Sequence, residues 1–202
     1  MTAKTPVEMW FDPICPWAWL TSRWLVELEQ VRDVEVTWSV MSLAVLNAGR
    51  ELSPEYLAMM ESSWGPVRVI IAAARDHGPK VIKPLYDAMG LRIHVGGEHD
   101  YPLAIAAALD DVGLPPDLLR FATSADVDDD VRASHQRAIG LVGDQVGTPV
   151  IAMGGVAFFG PVVTPAPKGE AAGRLWDGMV LMAGTPGFFE LKRTRTQNPI
   201  FD

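Results

Sequence analysis

The sequence predicts an α/β protein with the order βαβ, a large all-helical insertion, then ββα. Three observations carry this expectation. Two alternating apolar runs flank an amphipathic stretch near the amino terminus; residues 53–142 hold helical patterns punctuated by Gly and Pro; and two short apolar runs joined by Gly154-Gly155 precede a last amphipathic stretch.

Residues 7–11 alternate and are apolar enough for a strand, which Asp12-Pro13 ends as a turn signal. Residues 16–30 follow as a helix. Pro16 is tolerated in its first turn, where the missing N–H has no intrahelical partner to lose. Trp17, Leu20, Trp24, Leu25 and Leu28 recur at near-helical spacing and mark one buried stripe. Residues 34–40 alternate with period two, and strand, helix, strand over so short a span makes a parallel βαβ unit. The next block yields helices at 54–62, 67–77, 81–89, 102–112, 115–122 and 126–142. Residues 149–153 and 156–159 are strands whose Gly-Gly connection signals an antiparallel hairpin. Residues 170–183 form a final helix with Leu175, Trp176, Met179 and Met182 on or near one face. The expected organisation is a scaffold of residues 1–50 and 146–202 carrying residues 51–145 as an inserted helical subdomain.

The chain's 202 residues, 49% of them hydrophobic, suffice for one substantial core. No apolar run approaches the roughly 20 residues that cross a bilayer, so no membrane segment is expected. The first residues carry one positive charge and no apolar stretch, which argues against a secretory signal and for the cytoplasm. A net charge of −8 and no Lys/Arg cluster longer than residues 192–195 exclude a nucleic-acid footprint; that basic stretch reads as a solvated tail. Monomer and homodimer both remain open.

Cys15 is the single cysteine, which excludes an intrachain disulfide and a Cys-based zinc site. The four histidines are His77, His94, His99 and His135. His94 and His99 lie in a Gly-rich stretch without helical ligand spacing, so no metal is expected. Gly96-Gly97 and Gly154-Gly155 lack the context of a dinucleotide or phosphate loop, so no nicotinamide or flavin domain is indicated. Cys15 itself stands where the first strand ends and the first helix begins, just before Pro16. Unpaired N–H groups and the positive helix end favour an anion there, so the sequence predicts a thiolate with a pKa below the free value of about 8.5. Trp17 is the indole expected to face a ligand, while Trp10 and Trp24 fit the core, as does the Met59-Met60 pair.

The strand, the Cys15-Pro16-Trp17 helix start, the element order and the Gly147-Thr148-Pro149 step before the third strand resemble the DsbA family of thioredoxin-fold proteins. The resemblance implies that Pro149 is a cis-proline opposite the cysteine, consistent with X-Pro being the one peptide bond where cis is cheap. It sharpens in residues 10–17, 21–24, 40–47, 157–161 and 190–196, which together are similar, almost end to end, to the actinobacterial mycothiol-dependent nitroreductases. This implies a low-molecular-weight thiol, mycothiol or another, as co-substrate, with Cys15 as nucleophile or thiol-activating centre and a small, nitroaromatic or mixed-disulfide substrate. Thr148 and Pro149 would present backbone groups across from the sulfur. Asn47, Tyr56 and His94 would reach it from the insertion side, His94 as a proton relay near neutral pH.

One departure bears on mechanism. The second cysteine of the thioredoxin-type motif is replaced by Ala18, so no intramolecular disulfide can resolve an adduct on Cys15. Either an external thiol does so, or the redox cycle has been lost, or Ala18 replaces a cysteine so as to trap an intermediate. Two alternatives stand beside this reading: a thiol transferase or isomerase resembling kappa-class glutathione transferases, and a non-catalytic thioredoxin-like binding domain.

Overall fold

A computed structural model describes residues 3–201; Met1, Thr2 and Asp202, which fall within the expected terminal segments, lie outside the described residues. Strand β1 (Thr5–Phe11) pairs in parallel with β2 (Val34–Val40) across the crossover helix α1 (Pro16–Val31). β1 also pairs antiparallel with β3 (Val150–Met153), which pairs antiparallel with β4 (Val156–Phe159). The sheet order is β2-β1-β3-β4. Gly154 and Gly155 connect β3 to β4 with φ of 56° and 82°, the left-handed pair that a two-residue hairpin requires and L side chains resist.

The alternation of β1 sends its two faces into different packing environments. Val7, Met9 and Phe11 enter the main core with Trp19, Trp24, Leu25 and Leu28 of α1, and with Trp176 and Met179 of α7 (Glu170–Ala183). Trp10 points the other way, into a smaller cluster with Met41, Val150 and Ala138 of α6 (Asp128–Val142). Trp10 and Trp24 are thus core residues. Helices therefore cover both sheet faces, and the main core continues without a break into the helical block through Ile70, Leu85, Tyr86, Met89, Ile105 and Phe121.

The structure departs from the sequence pattern at four places, three in the helical block and one just before it. The two helices expected at 54–62 and 67–77 are one continuous helix, α3 (Pro54–His77), running through Pro66. Pro66 removes one backbone donor, but its neighbours Ser63, Gly65, Val67, Val69 and Ile70 are buried, and packing outweighs the lost bond. Residues 43–46, expected as no regular element, form a short helix α2 (Leu43–Leu46), whose cap Ser42 accepts from the Val45 N–H at 3.3 Å. The expected helix at 115–122 is 3-10 rather than α, spanning Pro116–Thr123. Finally, α4 (Ile82–Gly90) does not stop near Met89 but passes into a π-helical turn, Leu91–Val95, before α5 (Tyr101–Asp111). That turn carries His94.

Of the Met59-Met60 pair, Met60 is buried beside Ile14 and Ala44, whereas Met59 is 37% exposed on the outer face of α3. No described helix is long and apolar enough to cross a membrane.

Candidate active site

Cys15 is the N-cap of α1, and its Sγ accepts from the Ala18 N–H at 3.5 Å. Pro16 follows as the first helical residue. Across from the sulfur the Thr148–Pro149 peptide bond is cis, and the Cys15 S–H donates to the Thr148 carbonyl at 3.4 Å. The fold thus brings Cys15, Pro16, Trp17, Thr148 and Pro149 together, from the β1–α1 turn and from the entry to β3.

Asp12, read from sequence as a turn residue only, is wholly buried at this junction. Its Oδ1 accepts from the Ile14 N–H at 3.0 Å and its Oδ2 from the Leu43 N–H at 2.7 Å. Its own N–H donates to Thr148 Oγ1 at 3.2 Å, and its carbonyl accepts from the Cys15 N–H at 3.0 Å. One residue, through its carboxylate and its backbone together, therefore ties the cysteine turn, α2 and the Thr148 loop to each other. Nothing short of the fold could show this, because the Leu43 donor is supplied by a helix that local pattern does not mark.

Burial pushes the Asp12 carboxyl up to about 7, although the two backbone N–H groups pull the other way. Cys15 is 6% exposed, and burial pushes its thiol up to about 12. The Ala18 and Trp17 N–H groups and the positive charge of Arg195 favour the thiolate, while the charge of Asp12 opposes it. The expected low pKa is thus corrected: the helix end contributes in the predicted sense, but desolvation of a nearly closed sulfur is larger, and the resting form is the thiol.

The three residues expected over the sulfur are placed differently. His94 Nε2 donates to the Pro13 carbonyl at 2.8 Å, and its ring stacks on Trp19 with centroids 5.7 Å apart. Burial pushes it down to about 4, so it is neutral near pH 7, with Nε2 committed to the Pro13 carbonyl. Asn47 caps α2, its Nδ2 donating to the Leu43 carbonyl at 2.8 Å, with Met60 Sδ a further 3.8 Å partner; those donors do not reach Cys15. Tyr56, on α3, packs beside Ile14 and Met60, and burial together with the charges of Cys15 and Asp12 raises its hydroxyl pKa. Tyr101, unmarked in the sequence, joins the same apolar cluster and is raised by burial and by Asp12.

Trp17 is half-buried beside the sulfur, and the Arg195 guanidinium lies 5.1 Å over its ring. Residues 192–195 are therefore not simply a solvated tail, since Arg195 reaches the site. Among the described residues, no group of three or more His, Cys, Asp or Glu side chains converges. His135, the remaining buried histidine, accepts from the Ser42 N–H at 3.3 Å and is structural.

A family model described as Rv2466c-like, mycothiol-dependent nitroreductase Rv2466c, matches residues 14–193. Protein Rv2286c of Mycobacterium tuberculosis is 32% identical over 194 residues, covering 95% of this chain and 83% of that protein. Among solved structures, a probable DsbA oxidoreductase, SCO1869 of Streptomyces coelicolor, superposes with a TM-score of 0.60 at 18% identity, covering 95% of this chain and 94% of that one. The cytosolic disulfide reductase DsbM of Pseudomonas aeruginosa, solved with GSH, gives 0.53 at 15% identity, covering 87% and 99%. At such identities the structures speak for the fold, which is thioredoxin-like with a helical insertion, and the family match speaks for the class. The chain belongs to the Rv2466c-like family, thiol oxidoreductases built on a DsbA-type fold.

Proposed function

We propose that this protein reduces small electrophiles, nitroaromatic compounds or mixed disulfides, at the expense of a low-molecular-weight thiol such as mycothiol, with Cys15 as the reacting sulfur. The observation that carries the reading is the position of Sγ, at the amino end of α1 and 3.4 Å from the Thr148 carbonyl beside a cis-proline. Backbone N–H groups at that helix end can hold the thiolate once a ligand or an opening hydrates the sulfur. Trp17, Pro16 and Tyr56 supply an apolar wall for a planar substrate, and Thr148 and Pro149 a backbone edge. Residues 51–145 serve as the cover over residues 1–50 and 146–202. Asn47 and His94 act indirectly, by holding α2 and the Pro13 turn.

Ala18 dictates the rest. Cys15 and one small thiol, RSH, give two electrons and two protons to the acceptor and become the mixed disulfide Cys15–S–S–R. A second thiolate, RS⁻, attacks the small-thiol sulfur, forms RSSR and releases Cys15 as its thiolate. For a nitro compound the sum is ArNO₂ + 2 RSH → ArNO + RSSR + H₂O. The reducing, thiol-rich cytoplasm suits this cycle.

A transferase reading, resembling the kappa-class enzymes, draws support from one observation. A resting Cys15 that is pushed up to about 12 is an S–H donor able to orient another molecule's thiolate without itself being oxidised. Thiol stoichiometry separates the two. Assay of free thiol during turnover of a nitroaromatic should show two thiols lost per two-electron reduction, and loss of turnover in Cys15→Ser. One thiol lost per product, with a thioether formed, favours the transferase.

A further inference from the structure

The carboxy-terminal residues 190–201 contain no helix or strand, yet they are anchored to the body of the protein and bring Arg195 onto Trp17. Gln197 Nε2 donates to the Thr164 carbonyl at 2.9 Å, and the Ile200 N–H donates to Thr164 Oγ1 at 2.8 Å. Phe201 packs onto the main core, its ring centroid 5.8 Å from that of His94, and lines a cavity of about 310 Å³ with Trp19, Leu20 and Leu91. Two hydrogen bonds and one aromatic anchor thus hold a strap, and its course lays Arg195 on Trp17, 5.1 Å from the ring.

Two guanidiniums, Arg195 on Trp17 and Arg132 on Trp64, stack on an indole without an ion pair among the described residues, and of these only Arg195 lies beside Cys15. Arg23, Arg32, Arg68 and Arg92 each pair with a carboxylate. Arg195 faces none among the described residues. Its planar donors are exposed, beside the half-buried indole that borders the only thiol. A guanidinium stacked on an aromatic face is held in orientation while its N–H edge stays open to a carboxylate or a comparable oxyanion. The other ionisable groups around Cys15 do not offer this: Asp12 is buried and acidic, Tyr56 is a phenol, and His94 is neutral and bonded to Pro13.

We propose that Arg195, carried to Trp17 by the carboxy-terminal strap, recognises a carboxylate or similar anionic group on the electrophile that meets Cys15. The inference rests on Cys15 being the reacting sulfur. Arg195 is then a specificity-determining residue, and the strap is a wall of the site.

The test compares alkylation of Cys15 by iodoacetate, which carries a carboxylate, with that by neutral iodoacetamide, in the full chain at low ionic strength. Taking the ratio of the two rates cancels any change in thiolate population. Arg195→Gln should lower the iodoacetate-to-iodoacetamide ratio about fivefold, the scale of one partly screened charge pair, and salt should shrink the difference. Arg195→Lys should keep most of the ratio, and Thr164→Ala, which removes one strap anchor, should lose part of it. The source of the anionic group follows from a second comparison. Arg195→Gln slowing exchange with glutathione disulfide but not with bis(2-hydroxyethyl) disulfide places the charge on the thiol; slowing turnover of 4-nitrobenzoate but not of 4-nitrobenzyl alcohol places it on the acceptor. An unchanged reagent ratio in Arg195→Gln, with iodoacetamide still labelling Cys15, overturns the proposal alone. A Cys15 that reacts with neither reagent in any variant overturns the underlying reading with it.

Discussion

A carboxyl buried three residues before Cys15 sets a negative charge against the Cys15 thiolate. Desolvation pushes Asp12 up to about 7, and it is also the larger cause of pushing Cys15 up to about 12, where the charge of Asp12 adds in the same direction. Alkylation of the resting protein should accordingly show a midpoint above the free-cysteine value of about 8.5, and Asp12→Asn should lower it. A midpoint below the free value, or no movement in the variant, contradicts the coupling. The same carboxyl links stability to pH. The unfolded chain ionises Asp12 near its ordinary value of 3.8, whereas the folded chain holds the proton to about 7. Its contribution is therefore fully favourable below the lower value and lost as pH rises to the upper one. Between about pH 4 and about pH 8, chemical denaturation should show wild type losing up to about 4 kcal/mol relative to Asp12→Asn. At this scale the sequence exposed Cys15, Trp17, Thr148 and Pro149, whose placement follows from a strand end, a helix start and an X-Pro step. It concealed Asp12, whose partners come from α2 and the Thr148 loop, and the bond of His94 Nε2 to the Pro13 carbonyl.

Three elements with local signals were legible to the residue, and β1, α1 and β3 to within two residues. The alternation at 34–40, the hairpin strand at 156–159 and the amphipathic helix at 170–183 have the bounds that their patterns predict. Elements set by tertiary packing were not. Pro66 signals a break that burial of its neighbours overrides in α3, and the π-helical turn after α4 has no pattern of its own. The reason for tight packing there lies at Gly90, where a Cβ would stand 2.2 Å from Trp19 Cζ3. Gly90 has helical φ of −64°, so on backbone grounds alone alanine would stabilise it by up to about 1 kcal/mol. The clash works against this more strongly, since overpacking costs about 1–3 kcal/mol. Gly90→Ala should therefore lose about 1–2 kcal/mol in urea denaturation and change the near-ultraviolet circular dichroism of the Trp19–His94 stack. A variant as stable as wild type would mean that α4 and α1 do not meet as described.

Across the whole molecule, the central relation is between a continuous core and a site assembled at its edge. The order βαβ, helical insertion, ββα was readable because each unit carries its own period, and the family resemblance ran nearly the length of the chain. The path of the last residues was not readable, because residues 190–201 are polar and irregular and their course depends on Thr164 and the His94 ring. What the assembled molecule cannot do is release an adduct by itself: Cys15 is the single cysteine, and Ala18 occupies the position of a resolving thiol. Intact-mass spectrometry of the protein treated with an oxidised small thiol, followed by titration with the reduced thiol, tests this most directly. The account predicts one thiol adduct per chain, absent in Cys15→Ser, with a lifetime that shortens in proportion to added thiol. Release at a rate independent of added thiol, with no disulfide between protein chains, would contradict it.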